Sequence, residues 1–369
     1  MAILVIADDL TGAAEIGGMV LRYGLSVEIV HTLTLPISKD VRILNTNTRS
    51  LKADEALLHL QGVFLVDQGF KWDWIYLKFD SALRGHIKEE ISFYRTIFQK
   101  DNVIFCPVNP ALGRIIEDGV YWVNGRPIAE TDFAQDPEFP ITKSHILEVL
   151  DAKSWHMADD VKTLSTAKPS YIVPAVKDEA GLNSWASIGI SFGICAGGAA
   201  FFDALLRRQI ERRPVSNNLA PLPQTPVLYV CGSRHESSIE RIATVNTDKV
   251  VYWAHIGEEE EVAKTIRRKM DKYGKVILAV APTVRCDAAI VREHIAQVLA
   301  ILYQEYALHE LIIEGGATAR AILEVLGIDT LVPIWEYGQG VIRNHVPEVA
   351  LTVTLKPGSY PWTEELWVF

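Results

Sequence analysis

The sequence is poor in cysteine: it has four, Cys106, Cys195, Cys231 and Cys286, none close to another. That spacing offers no CxxC pair and no zinc-type ligand set, so neither a disulfide scaffold nor a structural zinc site is expected. Cys106 and Cys231 close apolar runs and read as small core residues, which suits a reducing cytoplasm. Positive charge is also short, with 36 Lys and Arg against 46 Asp and Glu and a net charge of −10. The balance argues against a general nucleic-acid binder and against a basic membrane-surface module, but not against an anionic ligand held by a few local cations. Long apolar runs are scarce. The most apolar segment, 187–206, is rich in Gly and Ala, is broken by Asp203, and reads as a buried strand, turn and helix rather than a membrane span. The N-terminus carries no charged n-region, so no signal peptide is expected. Two phosphate signatures are missing as well: there is no GxxxxGK[ST] loop and no GxGxxG at a first strand. A P-loop NTPase and a standard dinucleotide fold are both disfavoured.

What is present is an ordinary soluble composition, 49% hydrophobic and 22% charged, in 369 residues. That length implies two domains. Apolar runs alternate with helical periods throughout, which predicts two α/β domains with mainly parallel sheets. The first run, Ile3-Leu4-Val5-Ile6, reads as a strand buried on both faces. It turns polar at Asp8, Asp9 and Thr11, then passes into a helical pattern through Ala13, Ile16, Gly17 and Val20. Two adjacent acids thus stand at a strand's carboxyl end beside a helix N-terminus, where ligands bind in open α/β sheets. Capping of the helix by Asp9 or Thr11 accounts for one of those polar residues but not for Asp8.

The same pattern recurs. Val41 to Leu44 runs into a polar loop holding Arg49, whose fork could clamp a carboxylate, although spacing alone favours a surface charge. Trp74 to Leu77 runs into Lys78-Phe79-Asp80-Ser81-Ala82-Leu83-Arg84-Gly85, ahead of a helix marked by Ile87, Ile91, Tyr94 and Phe98. A cation, an acid, a hydroxyl and a guanidinium at one helix start are hard to dismiss as four separate caps and surface charges. Asn102 to Cys106 leads into the loop Pro107 to Arg114, and Asn124-Gly125 marks a hairpin. The proline-rich stretch from Arg212 to Pro226 reads as a domain linker. Beyond it three strand ends carry glycine: Gly232-Ser233, Gly315-Gly316 and Gly358-Ser359. Three such ends in one parallel sheet predict a shared crevice where backbone N–H groups meet phosphate oxygens.

The ordered set of motifs resembles the four-carbon acid sugar kinases. Ile6 to Gly12 matches I-x-D-D-L-T-G, and Lys78 to Gly85 matches K-x-D-S-T-L-R-G with Ala82 in place of Thr. Pro107 to Arg114 matches P-x-x-P-x-x-G-R, and Val123 to Pro137 matches V-x-G-x-P-[LI]-x-E-T-x-F-x-x-D-P. Gly232, Ser233 and Ser237 match G-S-x-x-x-S, and Gly315 to Ala319 matches G-G-D-T-A with Ala317 in place of Asp. Lys356, Gly358 and Tyr360 match K-x-G-x-[FY], so the motifs cover nearly the whole chain in family order.

The resemblance implies an ATP-dependent kinase of a tetronate such as threonate, erythronate or 3-oxotetronate, with substrate and nucleotide bound in the cleft between two domains. It implies a sugar-acid domain over 1–212, a linker over 213–226 and a nucleotide domain over 227–369. Substrate contacts fall on Asp8, Arg49, Ser81, Ala82, Leu83 and Arg84, and nucleotide contacts on Ser233, Gly315, Gly316, Ala317 and Gly358. In that reading Arg49 and Arg84 hold the carboxylate and hydroxyls of the acid, and Lys78 offsets charge on the moving phosphoryl group. Asp8 takes the proton of the attacking terminal hydroxyl, with Asp9 or Asp80 as the other candidate. Mg²⁺ bridges the ATP phosphates through few protein ligands, and no dedicated protein metal site is expected. A cytoplasmic protein acting on small molecules follows, with a homodimer left open. Three residues depart from the family pattern: Ala82, Ala317, and Pro174 where Asp is usual. They allow a second reading, a relative that binds sugar acid or nucleotide without turnover. An aspartyl phosphatase lacks its nucleophile, because residue 7 is Ala7.

Overall fold

The structure, a computed structural model, describes residues 1–33, 38–64, 71–136, 138–164, 170–212, 220–232, 236–347, 349–358 and 360–369. The chain forms two compact units, Met1–Ser26 with Thr32–Pro214, and Val27–His31 with Val215–Phe369. Of the expected linker, residues 213–219 lie outside the described residues. Among the described residues no helix is long and apolar enough to cross a membrane.

In chain order the elements up to residue 209 are β1 (Ile3–Ala7), α1 (Leu10–Leu21), β2 (Val27–Val30), β3 (Val41–Asn45), α2 (Ala53–Phe64), β4 (Trp74–Lys78), α3 (Ile87–Ile97), β5 (Val103–Cys106), β6 (Arg114–Glu117), β7 (Val120–Val123), β8 (Arg126–Pro127), α4 (Ile146–Val149), β9 (His156–Ala158), β10 (Tyr171–Pro174), α5 (Glu179–Phe192), β11 (Ile194–Gly197) and α6 (Ala199–Gln209). The first unit's main sheet runs β3-β1-β4-β11-β5-β10-β9, parallel at every pairing. All five residues of β1 are buried, with no alternation, because helices cover both faces of such a sheet. The register aligns Asn45, Ala7, Lys78, Gly197 and Cys106 across five strand ends. Gly197 at φ +142 belongs there: a Cβ would stand 2.0 Å from the Cys106 carbonyl oxygen. A separate small sheet, β6-β7-β8, contains the hairpin at Asn124-Gly125, where both residues have positive φ.

The remaining elements are β12 (Val227–Cys231), α7 (Glu236–Ala243), β13 (Val250–Trp253), α8 (Glu259–Tyr273), β14 (Lys275–Val280), α9 (Ala288–Glu305), β15 (Glu310–Glu314), α10 (Gly316–Val325), β16 (Thr330–Gly338), β17 (Val341–His345) and β18 (Thr352–Lys356). The second unit's sheet runs β13-β14-β12-β15-β18-β17-β16-β2, parallel from β13 to β18 and antiparallel beyond. Its strand ends also share one row: Tyr252, Ala279, Cys231, Glu314 and Lys356 are successive cross-strand partners. The antiparallel pair β16–β17 gave no strand signal in the sequence. Pro333 interrupts β16, and its pairing with β17 is bulged between Pro333 and Trp335 and again between Glu336 and Gly338, which blurs the period-two alternation. β2 groups with the second unit through Thr330–Val30 and Leu331–Ile29, a pairing too distant in sequence for local periodicity to show.

Candidate active site

In the first unit the chain leaves β1 at Asp8, which is only 2% exposed. Its backbone is fixed on both sides, by the N–H donating to the Lys78 carbonyl (3.4 Å) and the carbonyl accepting from the Arg49 N–H (3.1 Å). The side chains repeat that link. Arg49 donates from Nε to Asp8 Oδ2 (2.9 Å) and from Nη2 to Asp8 Oδ1 (2.6 Å), and the same Nη2 reaches Asp9 Oδ1 (2.7 Å). Asp9 is also the N-cap of α1: it accepts from the Gly12 N–H (2.9 Å) and from the Thr11 hydroxyl. The capping reading of Asp9 is therefore the structural one, while Asp8 has no such task. Lys78, nearly buried, donates to the Phe79 carbonyl (3.1 Å) and lies 3.4 Å from the Glu15 carboxylate.

The second polar cluster continues from Lys78. Arg84 binds Asp80 through Nε and lies 3.4 Å from Asp136 through Nη1. Ser81 receives a hydrogen bond on its hydroxyl from Arg114, and its carbonyl accepts from the Tyr121 hydroxyl (2.6 Å). Ala82 and Leu83 bury their side chains, so any ligand meets them through backbone. Leu83 sits at φ +64, an unusual conformation for a bulky residue and a sign of a constrained turn. Gly85 at φ +98 makes room for the acids: a Cβ there would lie 3.1 Å from Asp8 Oδ2 and 3.4 Å from Arg49 Cγ.

These groups differ in proton affinity for physical reasons. Burial pushes the Asp8 carboxyl above its usual range, against the pull of Arg49. Burial opposes the charge of Asp9 as well, yet Arg49, Lys78, Thr11 and the Gly12 N–H together hold it below that range. For Asp80 burial is again overcome, by Arg49 and Arg84, and its carboxyl is held far down. Of the three acids, Asp8 is the one with raised basicity. A fourth acid, Glu90 on α3, is 1% exposed, and burial with the charge of Asp8 pushes it up to about 8. Glu90, Arg114 and Asp136 were not among the expected site residues. Arg114 closes one of the matched motifs, and Asp136 is the last acid of another. Glu90 shares a helix face with Ile87, Ile91 and Tyr94, and an acid on that apolar stripe is the signal that could have found it.

In the second unit Gly232, Gly315, Gly316, Ala317 and Gly358 surround one cavity of about 220 Å³, with Glu314, Thr318 and Arg292 beside them. Gly315 has φ +96, caps α10, and donates its N–H to the Lys356 carbonyl (2.8 Å). Gly232 is required by close approach, since a Cβ would stand 2.6 Å from the Thr318 hydroxyl. Beneath the cavity the fully buried Glu314 carboxylate accepts from Lys356 Nζ (2.7 Å) and the Ser238 hydroxyl (2.7 Å) through Oε1, while Oε2 has no hydrogen-bond partner. Ser233 lies outside the described residues, as do Pro137 and Ser359. Among the described residues no group of three or more His, Cys, Asp or Glu is arranged to hold a metal ion.

A family profile described as a sugar-binding N-terminal domain matches residues 3–188, half of the chain. The D-threonate kinase of Bordetella bronchiseptica is 25% identical over 367 residues, an alignment spanning 91% of this chain and 88% of that one. The chain belongs to the four-carbon acid sugar kinase family. A 3-oxo-tetronate kinase of Brucella melitensis is 27% identical over 218 residues, 57% of this chain and 47% of its own length. Both of these relatives are kinases, and this member of the family is an enzyme of that kind. Haemophilus influenzae protein HI1011, of the domain-of-unknown-function family DUF1537, shares the α/β fold with a TM-score of 0.76 over 98% of both chains at 19% identity.

Proposed function

We propose that this family member transfers the terminal phosphoryl group of ATP to a hydroxyl, the terminal one, of a four-carbon sugar acid such as threonate, erythronate or 3-oxotetronate. The observation that carries the reading is Asp8: a buried acid of raised basicity, held in a fixed geometry by Arg49 at the end of β1. A general base needs both properties, proton affinity near the working range and a locked position. Asp9, committed to its cap and held low, and Asp80, held lower still, are poorer bases. Arg84, with 35% of its side chain exposed against 13% for Arg49, offers its fork to the carboxylate of the acid. Arg49 keeps Asp8 and Asp9 aligned. Ser81 and the backbone of Ala82 and Leu83 supply hydrogen bonds to the hydroxyls, and Lys78 places a cation beside the acids.

ATP supplies the phosphoryl group, and the glycines at the ends of β12, β15 and β18 offer backbone N–H groups to its phosphates. Mg²⁺ would come bound to the ATP phosphates with most of its waters, held through few protein ligands. The test is ADP release from ATP with a panel of tetronates, followed by assignment of the phosphorylated hydroxyl by NMR. Asp8→Asn should lower kcat by about 10²-fold or more with ADP binding unchanged. An unaltered kcat removes Asp8 from the role. Ala317, a methyl in place of the family's acid at the exposed start of α10, favours one other reading, binding without turnover. Tetronate binding with no ADP release from any of the panel would establish that reading instead.

A further inference from the structure

Beside the glycine cavity lies a second hollow, of about 190 Å³, lined by Cys231, Ile239, Ile242, Tyr252, Pro282 and Arg285 over a floor that includes Ala279 and Val280. The two hollows are consecutive along one row of strand ends. Cys231 faces this slot, and the next residue, Gly232, lines the glycine cavity. Across the sheet, Glu314 under the glycine cavity is the register partner of Cys231, and Cys231 is the partner of Ala279 in the slot. The floor is fully packed, whereas Ile239 and Tyr252 at the rim are 39% and 44% exposed, two large apolar side chains left open to solvent. Among the described residues no acid lines the slot. Among the described residues its one charge is Arg285, whose guanidinium is tied to the chain by hydrogen bonds to the Pro282 and Val284 carbonyls (2.7 and 3.1 Å). The volume is below the range of about 300–1,000 Å³ that holds a whole drug-sized ligand. A small, mainly apolar slot with an aromatic ring and a tethered guanidinium suits one planar heterocycle, stacked and held by cation–π attraction.

We infer that this slot receives the base of the nucleotide whose phosphates meet the glycines; the inference rests on the kinase reading and adds to it the residues that recognise the base. Nucleotide recognition is then divided along the row: phosphates at Gly315, Gly316 and Gly358, base between Tyr252 and Arg285.

Calorimetric titration of the full chain with ADP and, separately, with pyrophosphate tests the division. The wild type should bind ADP at least ten-fold more tightly than pyrophosphate. Ile239→Trp, which fills the slot from an exposed helix position, should weaken ADP ten-fold or more and leave pyrophosphate unchanged. Tyr252→Ala should do the same in smaller degree, and serves if the Trp variant does not fold. Equal wild-type affinities for the two ligands, or ADP binding that both variants leave intact, would overturn the slot's role while the kinase reading stands. A wild type that binds neither ligand overturns the nucleotide reading, and the slot's occupant with it.

Discussion

Glu90 gives the structure a measurable pH signature. It sits on α3 with 1% of its surface exposed, and its Oε1 has no hydrogen-bond partner. Burial is the main cause of its displacement, and the nearby charges of Asp8 and Glu89 add to it, while a hydrogen bond with Thr48 and the Arg49 guanidinium pull the other way. The result moves its carboxyl from 4.5 to about 8. The folded state therefore keeps a proton that the unfolded chain releases near its ordinary value. Below about pH 4.5 both states hold the proton and Glu90 costs nothing. As pH rises from there towards about 8 the unfolded state is favoured by about 1.4 kcal/mol per pH unit, and above it the penalty is constant. Between about pH 5 and about pH 7.5 this amounts to roughly 3 kcal/mol of lost stability. Glu90→Gln is neutral throughout and removes the dependence.

Urea denaturation of both proteins at those two pH values reads the effect, taking the transition that the substitution moves. The stability difference between variant and wild type should grow by roughly 3 kcal/mol towards the higher pH, whatever its value at the lower one. Any packing cost of the amide is common to both measurements and cancels. A difference that stays constant to within about 1 kcal/mol would refute the argument, because a Glu90 that ionises normally has no reason to distinguish the two conditions. The same proton matters for the site. Two buried acids in one neighbourhood avoid double ionisation when one stays neutral, and it is Asp8, not Glu90, that holds the guanidinium.

Two further substitutions separate the parts of the first unit. Arg84→Ala should raise KM for the sugar acid by about ten-fold or more with ADP affinity unchanged, as expected for loss of a carboxylate fork; an effect on ADP alone would place Arg84 with the nucleotide. Gly85→Ala should lower both stability, by about 1 kcal/mol or more, and kcat, since the new methyl meets Asp8 Oδ2 at 3.1 Å in a left-handed conformation. Wild-type kinetics and an unchanged melting temperature would show that the Asp8–Arg49 geometry tolerates a shift.

How far the sequence carries depends on the range of the interaction. Buried parallel strands such as β1, β4, β12 and β15 announce themselves as continuous apolar runs, and the polar residues just past them mark the site, because a strand end in such a sheet is where backbone N–H groups and side chains face solvent together. Asp8, Lys78 and the glycines just after β15 stand out as candidates on that ground, whereas Arg49 does so only through the family resemblance. Pairing across the chain was not legible. The Val30–Thr330 contact that gives β2 to the second unit leaves no local period, and the bulges in β16 erase the one it would have shown. Charge balance was legible least of all. Asp8, Asp9 and Asp80 are one residue type with one ordinary pKa, and only their surroundings set them apart: two cations and the hydrogen bonds of the cap for Asp9, two guanidinium groups for Asp80, and for Asp8 a burial, reinforced by the charge of Asp9, that outweighs Arg49 and Lys78. The sequence puts Asp8 first with Asp9 or Asp80 as the other candidate, while the difference in their proton affinities belongs to packing. Packing also couples two of the acids, since any change that opens the buried face of α3 to water should lower the proton affinity of Glu90 and Asp8 together.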